Sequence, residues 1–517
     1  MANATDTSGL QGDGAAGDDQ HENEDEGGWR NALESVADGL AFSIIGRIVI
    51  MGVGFLLNLV LTRTLGVALY GVFTFGQKLV TTIVLFSNFG ADVSVMKFLS
   101  ANTDDPDYQR RILGVSYLTT IVVGGAIAVA LFVAAPTVNT WTLADPRFEA
   151  ALRVFAFAIP LQGLTKIATN SFRGLERAGY QTGMRILPPV CQLSAIGIAL
   201  ALGYSLYGAV VGFTAGTGLA FVLSVSVLLY QTHLRPTFGL SWTEIREFFD
   251  FSIPFTFSRA GAILYRRTDI FMVGLLLTSS AVGLYNVALL VGSLIAMPLG
   301  GLNQLFPSVA SRLHADGKRD TLESVYTTVT RWSITASLPI AAPLVVFPDE
   351  MLGIFGAEFV AGTTVLVVFA AGQIINAAAG PSNDVLTMTD HQYLVMVNHW
   401  VFGALNIALN YVLILEIGVV GAAIATATVL GLLNVTRVLE VWYLEDLFAY
   451  TRLLWKPCFA IVVATAAMLA CRPLASGLVL LLGGGFVGVL VYAGVLLALG
   501  IDDRDREVAS RYVSFVD

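Results

Sequence analysis

Three arginines and an aspartate sit inside one apolar stretch, Phe251-Ser-Ile-Pro-Phe-Thr-Phe-Ser-Arg259-Ala-Gly-Ala-Ile-Leu-Tyr-Arg266-Arg267-Thr-Asp269. Seven residues separate Arg259 from Arg266, close to two helical turns, so the pair returns to nearly one face. Asp269 lies three residues beyond Arg266, within reach for a charge pair, which leaves Arg259 and Arg267 uncompensated. Two further cations stand inside apolar runs: Arg47, with Gly54 and Asn58 seven and eleven residues on, and Lys78, beside Gln77 and followed by Thr81, Thr82 and Asn88. A charged side chain at the centre of a bilayer costs at least about 2.5–3.5 kcal/mol, so it normally faces protein or water. Arginine grips phosphate oxygens in pairs and lysine acts as a point charge. A lumen with several such cations and few acids suits an anionic cargo. Arg47, Lys78, Arg259, Arg266 and Arg267 are therefore the candidate anion contacts, with Asp269, Asn58 and Gln77 in support. The competing reading is that arginines near a helix end, Arg47 and Arg259 here, snorkel to the headgroups.

Uncharged polar residues recur in the later apolar runs: Asn303, Gln304, Gln373, Asn376, Asn398, Asn406, Asn410 and Asn434. They could line a cavity that accommodates sugars, or simply bridge helices by hydrogen bonds; His399 is read in the second way. Asp92 is read as a structural partner, of Lys97. Cys191, Cys458 and Cys471 show neither metal-ligand spacing nor a secreted framework, and free thiols are expected. An enzyme would need catalytic carboxylates or an Asp-rich metal site near a loop. The candidates Asp145, Glu149, Asp349, Glu350 and Glu358 form no such constellation, so no catalytic residue, metal or cofactor is expected, and no nucleic-acid partner.

The elements that carry these residues follow from composition. Of the 517 residues, 55% are hydrophobic and only 13% charged, more apolar side chain than a soluble fold can enclose. A spanning helix needs about 20 mostly apolar residues. Cutting at polar, Gly- and Pro-marked breaks gives fourteen spans: 41–62, 70–95, 112–134, 149–170, 183–203, 207–230, 252–277, 282–307, 327–347, 358–379, 393–415, 418–442, 454–473 and 477–499. Much of the formal charge of -9 is concentrated at the start, where Asp6, Asp13, Asp18, Asp19, Glu22, Glu24, Asp25 and Glu26 accumulate without a Lys or Arg before Arg30. Such a segment buries too little apolar surface to offset its chain entropy, so a disordered tail is expected. It also lacks the apolar h-region of a signal peptide.

Basic residues cluster in alternate loops: Lys97, Arg110 and Arg111; Arg173, Arg177 and Arg185; Arg235 and Arg246; Arg312, Lys318 and Arg319; Arg452 and Lys456; and Arg504, Arg506 and Arg511. The opposite loops hold Arg63, Arg147 and Arg472. Basic loops resist translocation, so both termini are expected in the cytoplasm, with an even number of spans.

The chain also repeats itself. Leu69-Tyr70-Gly71-Val72-Phe73 is echoed by Leu284-Tyr285-Asn286-Val287-Ala288, a shift of 215 (285 − 70); Gly179-Tyr180-Gln181 by Asp390-His391-Gln392, a shift of 211 (390 − 179); and Gly208-Ala209-Val210 by Gly421-Ala422-Ala423, a shift of 213 (421 − 208). A repeat of six helices preserves sidedness, so the halves should be parallel copies facing across a cavity. The expected plan is an all-α polytopic membrane protein. It comprises an acidic tail (1–37), a six-helix bundle (38–236), an interfacial linker (237–250), a second six-helix bundle (251–446), two further helices (447–500) and a C-terminal tail (501–517).

This order of features resembles the polysaccharide-transporter branch of the multidrug/oligosaccharidyl-lipid/polysaccharide exporter superfamily, over about residues 38–500. The residues that carry the resemblance are Leu65-Gly66 before Leu69-Tyr70-Gly71-Val72-Phe73, Ser171-Phe172-Arg173-Gly174, Ser252-Ile253-Pro254, the Asp269-containing span, and Val282-Gly283-Leu284-Tyr285. The resemblance implies a flippase that accepts a polyprenyl-linked glycan between two bundles and releases it across the membrane by alternating access. Its partners would be the lipid-linked glycan, membrane lipid and glycan-assembly enzymes, with the protein itself a monomer. Arg47, Lys78, Arg266 and Arg267 would then hold the lipid phosphate or pyrophosphate, and the last two helices a lipid tail. The drug-efflux branch is the alternative; it usually couples export to ions through membrane-embedded acids, of which the first span has none. A membrane glycosyltransferase or polymerase is the remaining alternative.

Overall fold

In the computed structural model, residues 18–239, 241–304 and 306–500 are described, with side chains over 46–239, 241–257, 267–304 and 306–500. The regular elements among them are helical: α1 (Asp18–Ile83), α2 (Ala91–Ala101), α3 (Pro106–Trp141), α4 (Pro146–Ala156), α5 (Ala158–Gly174), α6 (Ala178–Ala201), α7 (Leu206–Thr232), α8 (Trp242–Leu276), α9 (Ser279–Gly292), α10 (Met297–Leu302), α11 (Phe306–Ala315), α12 (Arg319–Val346), α13 (Pro348–Gly353), α14 (Thr363–Ala379), α15 (Ser382–Met388), α16 (Gln392–Ile417), α17 (Val419–Glu445), α18 (Trp455–Cys471) and α19 (Gly477–Ala498), with short 3₁₀ turns between some of them. Of the acidic 1–37 segment and the 501–517 tail, residues 1–17 and 501–517 lie outside the described residues, and the helix of α1 begins at Asp18.

The apolar excess faces outward. On α3, Val122, Val129 and Val133 are 59%, 65% and 72% exposed at helical spacing; only lipid makes such a surface favourable. Twelve helices among the described residues are long and apolar enough to cross a bilayer, two fewer than the fourteen spans expected. The difference has two sources. The first two expected spans form one continuous helix, Gly46–Ile83, which turns at Gly66 (φ 73°, ψ 175°) instead of through a loop. That backbone region is open essentially to glycine alone. The other source is α8, 35 residues long, which is not among the twelve.

Sequence signals set several helix starts. Asp105 and Asp145 each accept a hydrogen bond from the first turn of the following helix, with proline at its first positions, the arrangement that satisfies orphan N–H groups. Ser241 and Glu244 form a capping box at the start of α8. The expected linker therefore ends at Ser241, and its second half is the first turns of α8. Its first half is held along α3, with the Thr237 N–H donating to the Arg110 carbonyl at 3.0 Å.

In the first half, α2 and α3 pack on α5, α5 and α6 on α7, and α1 on α6; in the second, α12 packs on α14, α14 on α17, and α16 on both α8 and α17. Helices α18 and α19 pack on each other and on α12, where the Tyr492 hydroxyl donates to the Thr335 carbonyl at 2.9 Å. The repeat has a physical counterpart: Tyr70 and Tyr285 are both fully buried, and each hydroxyl donates to a side chain of the preceding span, Asn58 at 2.6 Å and Asp269 at 2.7 Å. The helix that follows each tyrosine is also broken part-way, at 84–90 in the first half and between Gly292 and Phe306 in the second.

Candidate functional site

The two halves meet tightly at the end that holds Gly66. The turn there frees the Val67 N–H, which donates to Glu358 Oε2 at 2.9 Å. Arg63 donates from Nε to the Ile354 carbonyl at 2.6 Å and from Nη2 to that of Gly353 at 3.3 Å. Phe55 lies edge-on to Phe355, and Tyr70 to Phe359. A chain of hydrogen bonds crosses between the halves with one polarity: Asn286 Nδ2 donates to Tyr70 Oη (2.6 Å), Tyr70 to Asn58 Oδ1 (2.6 Å), and Asn58 Nδ2 to the Gly54 carbonyl (2.7 Å). Helices α1 and α9 touch backbone to backbone there. A Cβ at Gly71 would fall on the Ser279 carbonyl, and one at Gly283 on that of Val67. One apolar core, including Leu61, Phe73, Val273, Tyr285 and Phe355, spans both halves. This end is a seal.

Two cavities of similar size open away from it. The first, about 730 Å³, is lined by Asp92, Gln162, Lys166, Asn170, Arg185 and Gln192 from the first half, and by Arg267 from the second. The second, about 700 Å³, is lined by Asp269, Asn303, Gln373, Asn376, Asp384, His399, Asn434 and Arg437 from the second half, and by Arg47 from the first. Each half thus sends one arginine into the cavity of the other. Arg267 Nη1 donates to Thr82 Oγ1 at 3.3 Å, and Arg47 Nη1 to the Gly300 carbonyl at 2.9 Å. The ammonium of Lys78 is repelled by Arg267 and attracted by Asp269.

Of the sequence candidates, Arg47, Arg267 and Asp269 line these cavities, and Lys78 lies within electrostatic reach of the last two. Asn58 and Gln77 line neither cavity; Asn58 is spent on the chain through Tyr70. The side chains of Arg259 and Arg266 lie outside the described residues. Asp269 accepts from the Tyr285 hydroxyl and from the Ile270 N–H, at 2.7 and 2.8 Å. Asp92 and Lys97 take other partners than each other: Asn170 Nδ2 donates to Asp92 Oδ2 at 3.3 Å, and Lys97 Nζ sits 4.0 Å from the Phe251 ring centroid. Five of the amides considered for a sugar cavity, Asn303, Gln373, Asn376, Asn406 and Asn434, line the second one, as does His399. Lys166, Arg185, Asp384 and Arg437 were not among the candidates. Lys166 and Arg437 lie inside expected spans, so the argument applied to Lys78 finds them too. Arg185 had been counted with a loop, whereas it stands in α6 and faces the first cavity.

The chain is 26% identical over 443 residues to the probable low-salt glycan biosynthesis flippase Agl15 of Haloferax volcanii, covering 84% of this chain and 90% of that one. Its fold is similar to that of the lipid II flippase MurJ (TM-score 0.70, 12% identity, covering 88% of this chain and 97% of that one). It is also similar to that of an inward-facing multidrug-resistance MATE transporter (TM-score 0.66, 13% identity, covering 77% and 94%). A MatE family model matches residues 254–412. The model for polysaccharide biosynthesis proteins matches residues 36–313, more than half of the chain, and the chain belongs to that family.

Proposed function

We propose that this protein is a flippase that carries a polyprenyl phosphate- or pyrophosphate-linked oligosaccharide across the cell membrane by alternating access, without covalent chemistry. The observation that carries this reading is the pair of cavities with charged side chains in their walls, in two bundles sealed at one end, each receiving an arginine from the opposite half. A lipid-linked glycan needs a polar refuge for its headgroup while its tail stays in lipid, and phosphate needs cations there. The name of the Haloferax relative supports the same substrate class.

The orientation belongs to the proposal. With both termini cytoplasmic, the seal at Arg63 and Glu358 faces outside and the cavities are reached from within. Counting the two arms of α1 about Gly66 separately and adding α8 gives fourteen crossings, and the protein acts as a monomer. An impermeant maleimide that labels a cysteine placed at Thr5 from outside intact cells would refute this orientation. The function is tested in vesicles reconstituted with a fluorescent polyprenyl diphosphate glycan, by its exposure to impermeant periodate. The variant Arg267→Ala with Lys166→Ala is expected to insert normally and lose flipping; flipping at the unsubstituted rate overturns the reading. The efflux alternative draws on Asp269, a buried acid at the second cavity, and predicts that cells lacking the protein lose resistance to cationic drugs instead of accumulating lipid-linked glycan.

A further inference from the structure

We infer that the two cavities divide the cargo between them: the first holds the phosphate, and the second reads the attached sugars through their hydroxyl groups. This rests on the flippase reading above and goes beyond it by assigning the glycan to the second half of the chain.

The cavities are alike in volume and differ in charge balance: around the first, Lys166, Arg185 and Arg267 outnumber Asp92, whereas around the second Arg47 and Arg437 are matched by Asp269 and Asp384. Lys166, Arg185 and Arg267 around the first are donors without acceptor capacity. Phosphate oxygens are acceptors only and suit these three cations; the one carboxylate in the lining, Asp92, accepts from Asn170 Nδ2. The second cavity is walled by amides arranged in series. Arg437 Nη1 donates to Asn434 Oδ1 (3.5 Å), Asn434 Nδ2 to Asn376 Oδ1 (3.1 Å), and Asn376 Nδ2 to Gln373 Oε1 (3.3 Å). Asn434 and Asn376 each spend one N–H on the next amide and keep a second N–H and a lone pair, and Gln373, which ends the series, accepts through Oε1.

Elsewhere in the same lining stand Asp384 and Asn303, whose Oδ2 and Oδ1 have no hydrogen-bond partner in the structure. Asp384 Oδ1 receives only a 3.3 Å contact from Asn383 Nδ2. A wall with spare donors and spare acceptors pairs fully with a ligand that is both, and a sugar hydroxyl is both. A phosphate offers Asp384 only repulsion. With Asp269 and Asp384 offsetting both arginines, this half favours hydroxyls and disfavours the phosphate relative to the first cavity, where one carboxylate faces three cations.

The bland alternative is that the amide series only ties α14 to α17. A pair of substitutions separates the two readings: Asn376→Leu with Asn434→Leu removes both partners of one hydrogen bond at similar volume, so that neither of the two is orphaned, while Arg437 and Gln373 each lose one partner. Binding to the purified full-length protein is measured for farnesyl diphosphate, and for farnesyl diphosphates bearing a hexose, an N-acetylhexosamine or a hexuronate disaccharide. The unsubstituted protein is expected to bind at least one glycosylated probe about tenfold or more tighter than the bare one. In the double variant that ratio falls toward one while the bare probe binds as before. Lys166→Gln with Arg267→Gln weakens all probes alike. No preference for any glycosylated probe, or a ratio retained in the double variant, overturns the subsite and leaves the flippase reading standing. Failure of the unsubstituted protein to bind any diphosphate probe overturns the flippase reading itself. If the double variant loses thermal stability, Asp384→Asn replaces it; a full ratio in that variant equally overturns the subsite.

Discussion

The close contact of α1 with α9 makes Gly71→Ala a direct test of alternating access. The nearest atoms to a Cβ at Gly71 all belong to α9, in the other half. Besides the overlapping Ser279 carbonyl oxygen, they are the Ser279 carbonyl carbon at 2.7 Å and the Gly283 nitrogen at 3.0 Å. Non-bonded heavy atoms settle at about 3.5–4.0 Å, so, with the carbonyl oxygen overlapping outright, the helices must separate by roughly 1.5–2 Å. These are backbone atoms, which cannot rotate aside. The strain falls on the contact between the halves and not inside either one. Overpacking of this kind costs about 1–3 kcal/mol, and separation also weakens the Asn286–Tyr70 hydrogen bond, worth about 0.5–1.5 kcal/mol net. Together these shift the equilibrium away from the sealed state by about one to three powers of ten, at about 1.4 kcal/mol per decade. The assay is pulsed electron–electron distance measurement between spin labels at Thr64 and Ala357, exposed positions flanking the seal, with Cys191, Cys458 and Cys471 replaced by serine. Gly71→Ala should lengthen the dominant distance and stop flipping while the protein still inserts. Gly125→Ala, whose Cβ meets nothing within 4 Å, should do neither. An unchanged distance distribution with normal flipping in Gly71→Ala would show that this contact does not hold the halves together.

Two further predictions concern the same frame. Arg63→Gln removes the charge from the bonds to the Gly353 and Ile354 carbonyls; at this exposed position the loss is about 0.5–1 kcal/mol. The same distance measurement should therefore show a shift in the direction of Gly71→Ala but smaller, and a larger shift would contradict the ranking. Asp269→Leu leaves the buried Tyr285 hydroxyl with only its 3.4 Å contact to Thr426, a cost of about 1–3 kcal/mol that adding Tyr285→Phe should largely restore. Melting temperatures of the single and double variants in detergent check this, and purely additive losses would show that the pair is not coupled.

Much of the architecture could be read before any coordinates, because lipid imposes a strict pattern on sequence. The apolar spans, the tyrosines at 70 and 285 and the arginine at 267 all stand where a residue of the wrong type would be costly. The interior was less legible for a matching reason. A polar residue inside a span is equally compatible with lining a cavity and with bridging two helices, and only packing decides which. Asn58 has the spacing of a cavity residue, yet Tyr70 takes it as an acceptor. Asn376 and Asn434 both bond to a neighbour and line a cavity. Arg185, close to a helix start, reads as a loop charge until α6 carries it beside Lys166.

The feature least accessible from sequence is the exchange of arginines between halves, since nothing local to Arg47 or Arg267 indicates which bundle's cavity each will enter. That exchange ties binding to motion. Arg47 rests on Gly300 of the second half, and Arg267 on Thr82 of the first. Any rotation of one bundle against the other must move both cations relative to the cavities they serve. A cargo group held by either of them would therefore have a different affinity before and after the rotation, and differential affinity of that kind is the only means by which a cargo can bias a conformational equilibrium. The contacts at Arg63 and Glu358 lie apart from both cavity linings, so on the proposed mechanism occupancy of the cavities and opening of the seal would be coupled through these two side chains.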